Sequence, residues 1–340
     1  MNWRHLLCLS TLVLLALLLF LLDITLGSVS MSVSEVWEAL IGDATQPVQR
    51  EIVCNLRLPR AITAILAGVG LSVSGLLMQT LFRNPLAGPY TLGVSSGATL
   101  GVALVMMMGN WIGYALTGEW VMVTAAIVGA LLSLLLVLGI AVKVRESVSL
   151  LIVGVMIGQM AGAIVNVIQH FSNPDTLKLF VVWTFGSLSA VGWQQMPFLT
   201  AMMLAGVIIA VALMKNLNAL LLGEQYAGSM GVSLKLTRFL IIVSTGLLAG
   251  GITAFAGPIA FVGVAVPHIA RGLMMTDDHR WVLPTSALSG AVLLLACDIL
   301  SQQTPHPLPI STVCALFGAP VIIWIIIKGS KLKKRNLANT

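Results

Sequence analysis

Apolar runs close to the length of a bilayer crossing, separated by short polar breaks, fill nearly all of this chain, and that spacing constrains it more than any single residue does. A hydrocarbon core about 30 Å thick takes about 20 helical residues to cross. No water is available there to pair backbone N–H and C=O groups, so such a run satisfies them within itself, as a helix. About ten segments are expected, at about 5–27, 58–80, 91–110, 119–142, 149–170, 193–214, 236–255, 258–274, 281–300 and 308–327. Of 340 residues 58% are hydrophobic and 9% charged, with a mean hydropathy of +1.01. Soluble domains carry roughly a quarter charged residues, so a water-exposed globule is excluded. The expected fold class is all-α and polytopic. With no repeat or low-complexity region, residues 1–340 read as a single membrane domain with a basic tail over 328–340.

The first run, Leu6 to Leu26, follows Arg4 and His5 as a signal-peptide core would, but it is too long and lacks a small-x-small cleavage site, so a retained first helix is expected. The apolar stretch from Thr176 to Leu188 is too brief to span and reads as a surface or re-entrant helix. Between the first two spans, VSEVWEALIG at Val33 to Gly42 places Val33, Val36, Trp37 and Leu40 on one helical face, with Ser32 or Ser34 as cap. That is the pattern of a short interfacial helix with a tryptophan anchor. Small residues at helical spacing, Gly154, Gly158 and Gly162, Gly97 and Gly101, and Gly246 and Gly250, predict close helix contacts, because apolar helices in lipid have no hydrophobic drive to associate.

Lys and Arg stay on the cytoplasmic side of a membrane. With the N-terminus inside, one face receives Arg4, Arg83, Lys143, Arg145, Lys215, Lys235, Arg238, Arg271, Arg280, Lys328, Lys331, Lys333, Lys334 and Arg335, and the other only Arg50, Arg57, Arg60 and Lys178. An even number of spans with both termini cytoplasmic follows. Most carboxylates, among them Glu35, Glu38, Asp43, Glu51, Glu119 and Asp175, fall on the outer side. The net charge of +6 is accounted for by this loop bias, so no nucleic-acid partner is indicated.

Whole classes of function drop out by what is missing. There is no GxxxxGK[ST] loop, HExxH or GxSxG, so neither a phosphate loop nor an intramembrane hydrolase site is visible. Cys8, Cys54, Cys297 and Cys314 are far apart in sequence, and His170, His268 and His306 are not at ligand spacing; no metal site is expected and the histidines read as structural. Ion-coupled carriers need ionisable groups near mid-membrane, yet Asp23 and Asp298 fall towards the outer ends of their helices. The energy source is then a separate partner, most simply one that hydrolyses ATP. A secondary carrier and an intramembrane enzyme remain as the other classes.

Arg57 and Arg60 flank Pro59 on the cation-poor face; they fit either headgroup anchors or a docking point for a carboxylate-bearing protein. RNPLAGP at Arg83 to Pro89 breaks the helix twice and makes a rigid turn, either a plain connector or a constriction at the cytoplasmic mouth. Gln159, Gly162, Asn166 and Gln169 share one helical face and suit a wetted wall or interhelical hydrogen bonds. GEQYAGSMGVSLKLTR at Gly223 to Arg238 reads as a short amphipathic helix opened by Glu224 and ended by Gly231.

With RLPR at Arg57 to Arg60, RNPLAGP, LGVSSGA at Leu92 to Ala98, GPIAFVGVAVPHIAR at Gly257 to Arg271 and ISTVCALFGAPVIIW at Ile310 to Trp324, the chain resembles the permease subunits of FecCD-type ABC importers, which take up iron-siderophore complexes, haem or cobalamin. The resemblance covers essentially the whole chain. It implies a homodimer of ten-helix type II permeases, a periplasmic binding protein docked outside, and two ATPase subunits inside that carry the ATP and Mg; no cofactor is expected in this chain. Residue by residue, it implies docking at Arg57 and Arg60, cytoplasmic gates at Asn84 and Leu86 and at Ser147 and Val148, which follow Arg145-Glu146, and ATPase coupling through Glu224, Ala227, Gly228 and Gly231. One departure is visible: Gln302 stands where the family often has a further outer arginine, and the loop Gln303 to Pro309 looks short. The implied role is passage of an iron-siderophore or similar chelate across the bacterial inner membrane, with cobalamin or haem as the alternative cargoes.

Overall fold

A computed structural model describes residues 3–27, 29, 31–42, 47–108, 118–141, 143, 147–304, 307–320 and 323. Asp43, the Arg145-Glu146 pair, His306 and the tail over 328–340 lie outside them. Among the described residues the chain is helical, without strands. The helices are α1 (Trp3–Thr25), α2 (Val33–Ile41), α3 (Leu58–Phe82), α4 (Val94–Met108), α5 (Glu119–Ala141), α6 (Ser147–His170), α7 (Pro174–Thr184), α8 (Met196–Ala212), α9 (Met214–Leu221), α10 (Glu224–Ser229), α11 (Leu234–Ala256), α12 (Val262–Met274), α13 (His279–Gln302) and α14 (Ile310–Pro320). Six are long and apolar enough to cross a membrane, counting α3 with its lead-in from Pro47; the α8–α9 pair, bent by 54°, makes a seventh. Shorter apolar helices, α4, α12 and α14, stand where the remaining three spans were expected.

Helix α3 is the axle, buried along most of its length. A Cβ on Gly68 would overlap the Gly290 backbone of α13, and one on Gly75 would overlap the Gly263 carbonyl of α12. That carbonyl lies four residues before Pro267 inside α12, whose missing N–H frees it from the helix ladder. The same logic joins α4 to α5, where Gly97 and Gly129 face one another. Thus Gly97, Gly101 and Gly154 are contact positions as expected, whereas a Cβ on Gly162 would meet nothing within 4 Å. In lipid this close fit, rather than apolar burial, holds the bundle together.

The ends of the bundle are distinct. At the near end α1 starts, α3 and α12 finish and α13 starts; the far end holds the start of α3 and the finish of α1 and α13. Helix α2 has the expected cap, and it is Ser32: Glu35 donates its N–H to Ser32 Oγ (3.3 Å) and the Ser32 N–H donates to Glu35 Oε2 (2.7 Å). That donation lowers the Glu35 carboxyl below its ordinary value. Val36 and Ala39 are buried while Trp37 is 63% exposed. Helix α7 is the short helix expected around 176–188, with Asn173 as N-cap and Phe180 buried.

Between α11 and α12 the chain is not helical from Gly257 to Phe261, with positive φ at both residues (76° and 68°). At about 1.5 Å per residue, the 13 residues of α12 reach about 20 Å, short of a full crossing. Buried irregular backbone must be paired by protein: the Tyr90 hydroxyl donates to Ile259 O (2.9 Å) and accepts from Ile259 N–H (3.1 Å), and Ser187 N–H donates to Ala256 O (2.7 Å).

Candidate functional site

At the far end four charged side chains are drawn inward. Arg57 is 7% exposed; its guanidinium donates to the carbonyls of Ile24 (2.9 Å), Thr25 (2.8 Å) and Val29. These are the last-turn and following carbonyls of α1, which a helix cannot pair itself. Arg60 donates to both carboxylate oxygens of Asp298, Nε to Oδ2 at 2.8 Å and Nη2 to Oδ1 at 2.6 Å. Gln302 bridges the buried acids, its amide donating to Asp23 Oδ1 and to Asp298 Oδ2, each at 3.1 Å. Asp23 and Asp298 thus lie together near the far ends of α1 and α13. Both arginines are turned largely inward: Arg57 fastens α1 to α3, and Arg60 keeps 17% of its side chain exposed while pairing with Asp298. A lone guanidinium on an apolar helix is costly, and inward carbonyls and carboxylates answer it better than lipid does. The departure at Gln302 also acquires a role, since its two amide hydrogens serve two carboxylates.

On an exposed face of α6, Gln159, Gly162 and Asn166 line a depression of about 310 Å³ together with Ser95, Ser96 and Thr99 of α4. Three of the four residues on the predicted polar stripe are brought together; Gln169, a turn further on, is not among the lining. The α4 contribution was missed, although the two serines and the threonine of VSSGAT carry the same signal, polar groups on one face of a short apolar helix.

At the near end the segments expected to act as gates and as the coupling segment meet. The turn after α3 starts at Arg83 in the left-handed region (φ 47°) and closes on itself: Asn84 Oδ1 accepts from Leu86 N–H (2.9 Å), and Asn84 O from Ala87 N–H (3.1 Å). Leu86 is 53% exposed. Ser147 opens α6, and the Val148 that follows lines a depression of about 1100 Å³ with Phe82, Arg83 and residues 222–226. The start of α6 therefore faces the start of the 223–238 segment across an open space. Glu224 opens α10 and its carboxylate accepts from Arg238 Nη2 at 2.5 Å. Gly231, at φ 84°, stops the helix, with its N–H on Gly228 O and the Val232 N–H on Ala227 O. Ala227 is fully buried and is not presented to a partner. Besides Gly228, the exposed face carries Tyr226 and Met230, four residues apart and over half exposed, a pair the sequence reading passed over.

Behind this surface lies a polar core with no sequence signature. His279, 1% exposed, has Nε2 2.9 Å from Thr80 Oγ1 of α3 and Nδ1 2.8 Å from Asn218 Oδ1 of α9. Asn218 in turn donates to Asp278 Oδ1 at 2.6 Å. His170 lies edge-on to the Phe171 ring, and His268 bonds Pro85 O in the turn after α3. A profile of the FecCD transport family matches residues 14–328.

The chain belongs to the FecCD transport family. It is 37% identical over 333 residues to the vitamin B12 import system permease protein BtuC of Escherichia coli, covering 97% of each chain. It is 33% identical over 325 residues to the hemin transport system permease protein HmuU of Yersinia pestis, covering 95% of this chain and 96% of that one. Its fold is similar to a solved metal-chelate type ABC transporter in an inward-facing conformation, with a TM-score of 0.83 at 30% identity over 94% of this chain and 98% of that chain. This FecCD protein is accordingly a multi-pass membrane permease of an ABC importer, a class that works with ATPase and substrate-binding partners.

Proposed function

We propose that this chain is one half of a homodimeric permease that passes an iron-siderophore or similar metal chelate across the bacterial inner membrane by alternating access, with both termini cytoplasmic. The observation that carries this reading is the polar depression of Gln159, Gly162, Asn166, Ser95, Ser96 and Thr99 on the face of two apolar helices. Amide and hydroxyl groups set against hydrocarbon lose their hydrogen bonds. A second copy facing this one would enclose the two depressions as a wetted path, wide and uncharged, suited to a bulky chelate that brings its own metal ligands. Cobalamin and haem, cargoes named for the relatives, are the competing substrates.

The chain performs no covalent chemistry in this reading. ATP and Mg are bound by two partner ATPase subunits, which seat against α10 through Tyr226, Gly228 and Met230, while Glu224, Ala227 and Gly231 shape that helix. The gates are Asn84 and Leu86 on one segment and Ser147 and Val148 on the other. A periplasmic binding protein docks at the far end, where Arg60 offers the partly exposed cation and Arg57 holds the surface behind it. The deciding experiment reconstitutes the chain with its ATPase and binding protein in liposomes and measures ATP-dependent uptake of ferric siderophore, haem and cobalamin. Uptake without the ATPase, driven by an ion gradient, would refute the proposal.

A further inference from the structure

The PHIAR stretch within GPIAFVGVAVPHIAR has no part in the docking, gating or coupling roles above, yet its side chains grip the gate turn. His268 Nε2 lies 2.7 Å from Pro85 O. A carbonyl oxygen only accepts, so the ring nitrogen is the donor. Three residues on, Arg271 donates to Gln79 Oε1 at 2.6 Å, and Gln79 returns a bond from Nε2 to Val264 O at 3.1 Å. Helix α12 therefore holds the last turns of α3 and the turn that follows. Tyr90, at the other end of that turn, is fixed to Ile259 through both of its hydroxyl bonds.

The turn itself is stiff. Pro85 and Pro89 fix two φ angles, and its internal bonds use the carbonyls of Asn84 and Gly88. The Pro85 carbonyl points out of the turn to His268, and a Cβ on Gly88 would crowd Val264 of α12. A flap hinged at Arg83 cannot swing while these contacts stand.

We propose that His268 is the positioning residue of the cytoplasmic gate: its imidazole donates to Pro85 and, with Tyr90 on Ile259, makes residues 83–90 and the 257–271 segment move as one body. This rests on the reading of Asn84 and Leu86 as a gate, and two measurements separate the claims. The first is hydrogen exchange of the amides of Leu86, Ala87 and Gly88 in the purified chain, which needs no partner. His268→Leu should raise exchange there about 2- to 10-fold, the factor one net hydrogen bond supplies, while His268→Gln, which keeps an N–H donor, stays within twofold of the parent. If His268→Leu does not fold, His268→Met fills similar space without a donor.

The second measurement uses Leu86→Cys in a chain whose four native cysteines are replaced, assembled with its ATPase, and follows labelling by a membrane-impermeant maleimide with and without a non-hydrolysable ATP analogue. The parent should show a nucleotide-dependent rate, and His268→Leu should lose most of that dependence while His268→Gln retains it. Unchanged exchange in His268→Leu, or equal effects of Leu and Gln, would overturn the positioning role. A parent whose labelling ignores nucleotide would instead overturn the gate assignment.

Discussion

Replacing Arg60 by methionine should unfold the far end of the bundle unless Asp298 is replaced with it. The guanidinium makes three bonds to Asp298, at 2.6 to 3.0 Å, and Asp298 has no exposed surface. Without Arg60, Asp298 is left with the Gln302 amide and with Asp23, a second acid, and no cation among the described residues pairs with it. Breaking a buried pair from one side costs about 3–5 kcal/mol, because the remaining charge stays out of water unpaired. At about 1.4 kcal/mol per factor of ten, that is roughly a 100- to 4000-fold rise in the unfolding constant. Arg60→Met with Asp298→Leu removes both charges and should recover most of the loss, since apolar replacement of a whole buried pair is commonly neutral. Reversible unfolding in mixed detergent, followed by tryptophan fluorescence, reads the difference. A single variant within about 0.5 kcal/mol of the parent, or a double variant no better than the single, would refute the reasoning. The comparison also bears on docking: charge reversal at Arg60 would set a third carboxylate beside two buried ones, so lost association in such a variant reports misfolding, and affinity is better measured in the folded double variant.

Arg57→Met strands the α1 carbonyls and should raise hydrogen exchange around residues 22–27, with a loss of about 1–3 kcal/mol per group left unpaired; unchanged exchange there removes the fastening role. Asn218→Leu deprives the His279 N–H and Nδ1 of their acceptor and should destabilise the near end by about 1–3 kcal/mol, read by thermal unfolding, with an effect under about 0.5 kcal/mol counting against the network. Gly231→Val forces a β-branched residue to φ 84° and should cut ATPase association or substrate-stimulated hydrolysis at least tenfold; normal stimulated hydrolysis would sink the coupling assignment. Asn166→Leu should slow uptake severalfold with little change in stability, since the side chain is exposed in the single chain, and unaltered uptake would argue that this face is not the path.

Much of the architecture was legible because each feature depended on residues close together in sequence. A 23-residue apolar run such as Glu119–Ala141 is a helix wherever it lies in a membrane, since its backbone has no other partner. Gly231 ends α10, and Ser32 with Glu35 caps α2, within single turns of chain. The stripe of Gln159, Gly162 and Asn166 likewise needs only the helical repeat.

What the tertiary structure alone decided joins residues far apart in the chain: Arg57 to the end of α1, Arg60 to Asp298, Thr80 to His279, His268 to Pro85. A charged or polar group in an apolar helix must find a partner, but periodicity is silent on whether that partner is water, lipid or another helix. The choice rests on which helices pack together: α3 meets α13 closely at Gly68 on Gly290, and this packing sets Arg60 beside Asp298.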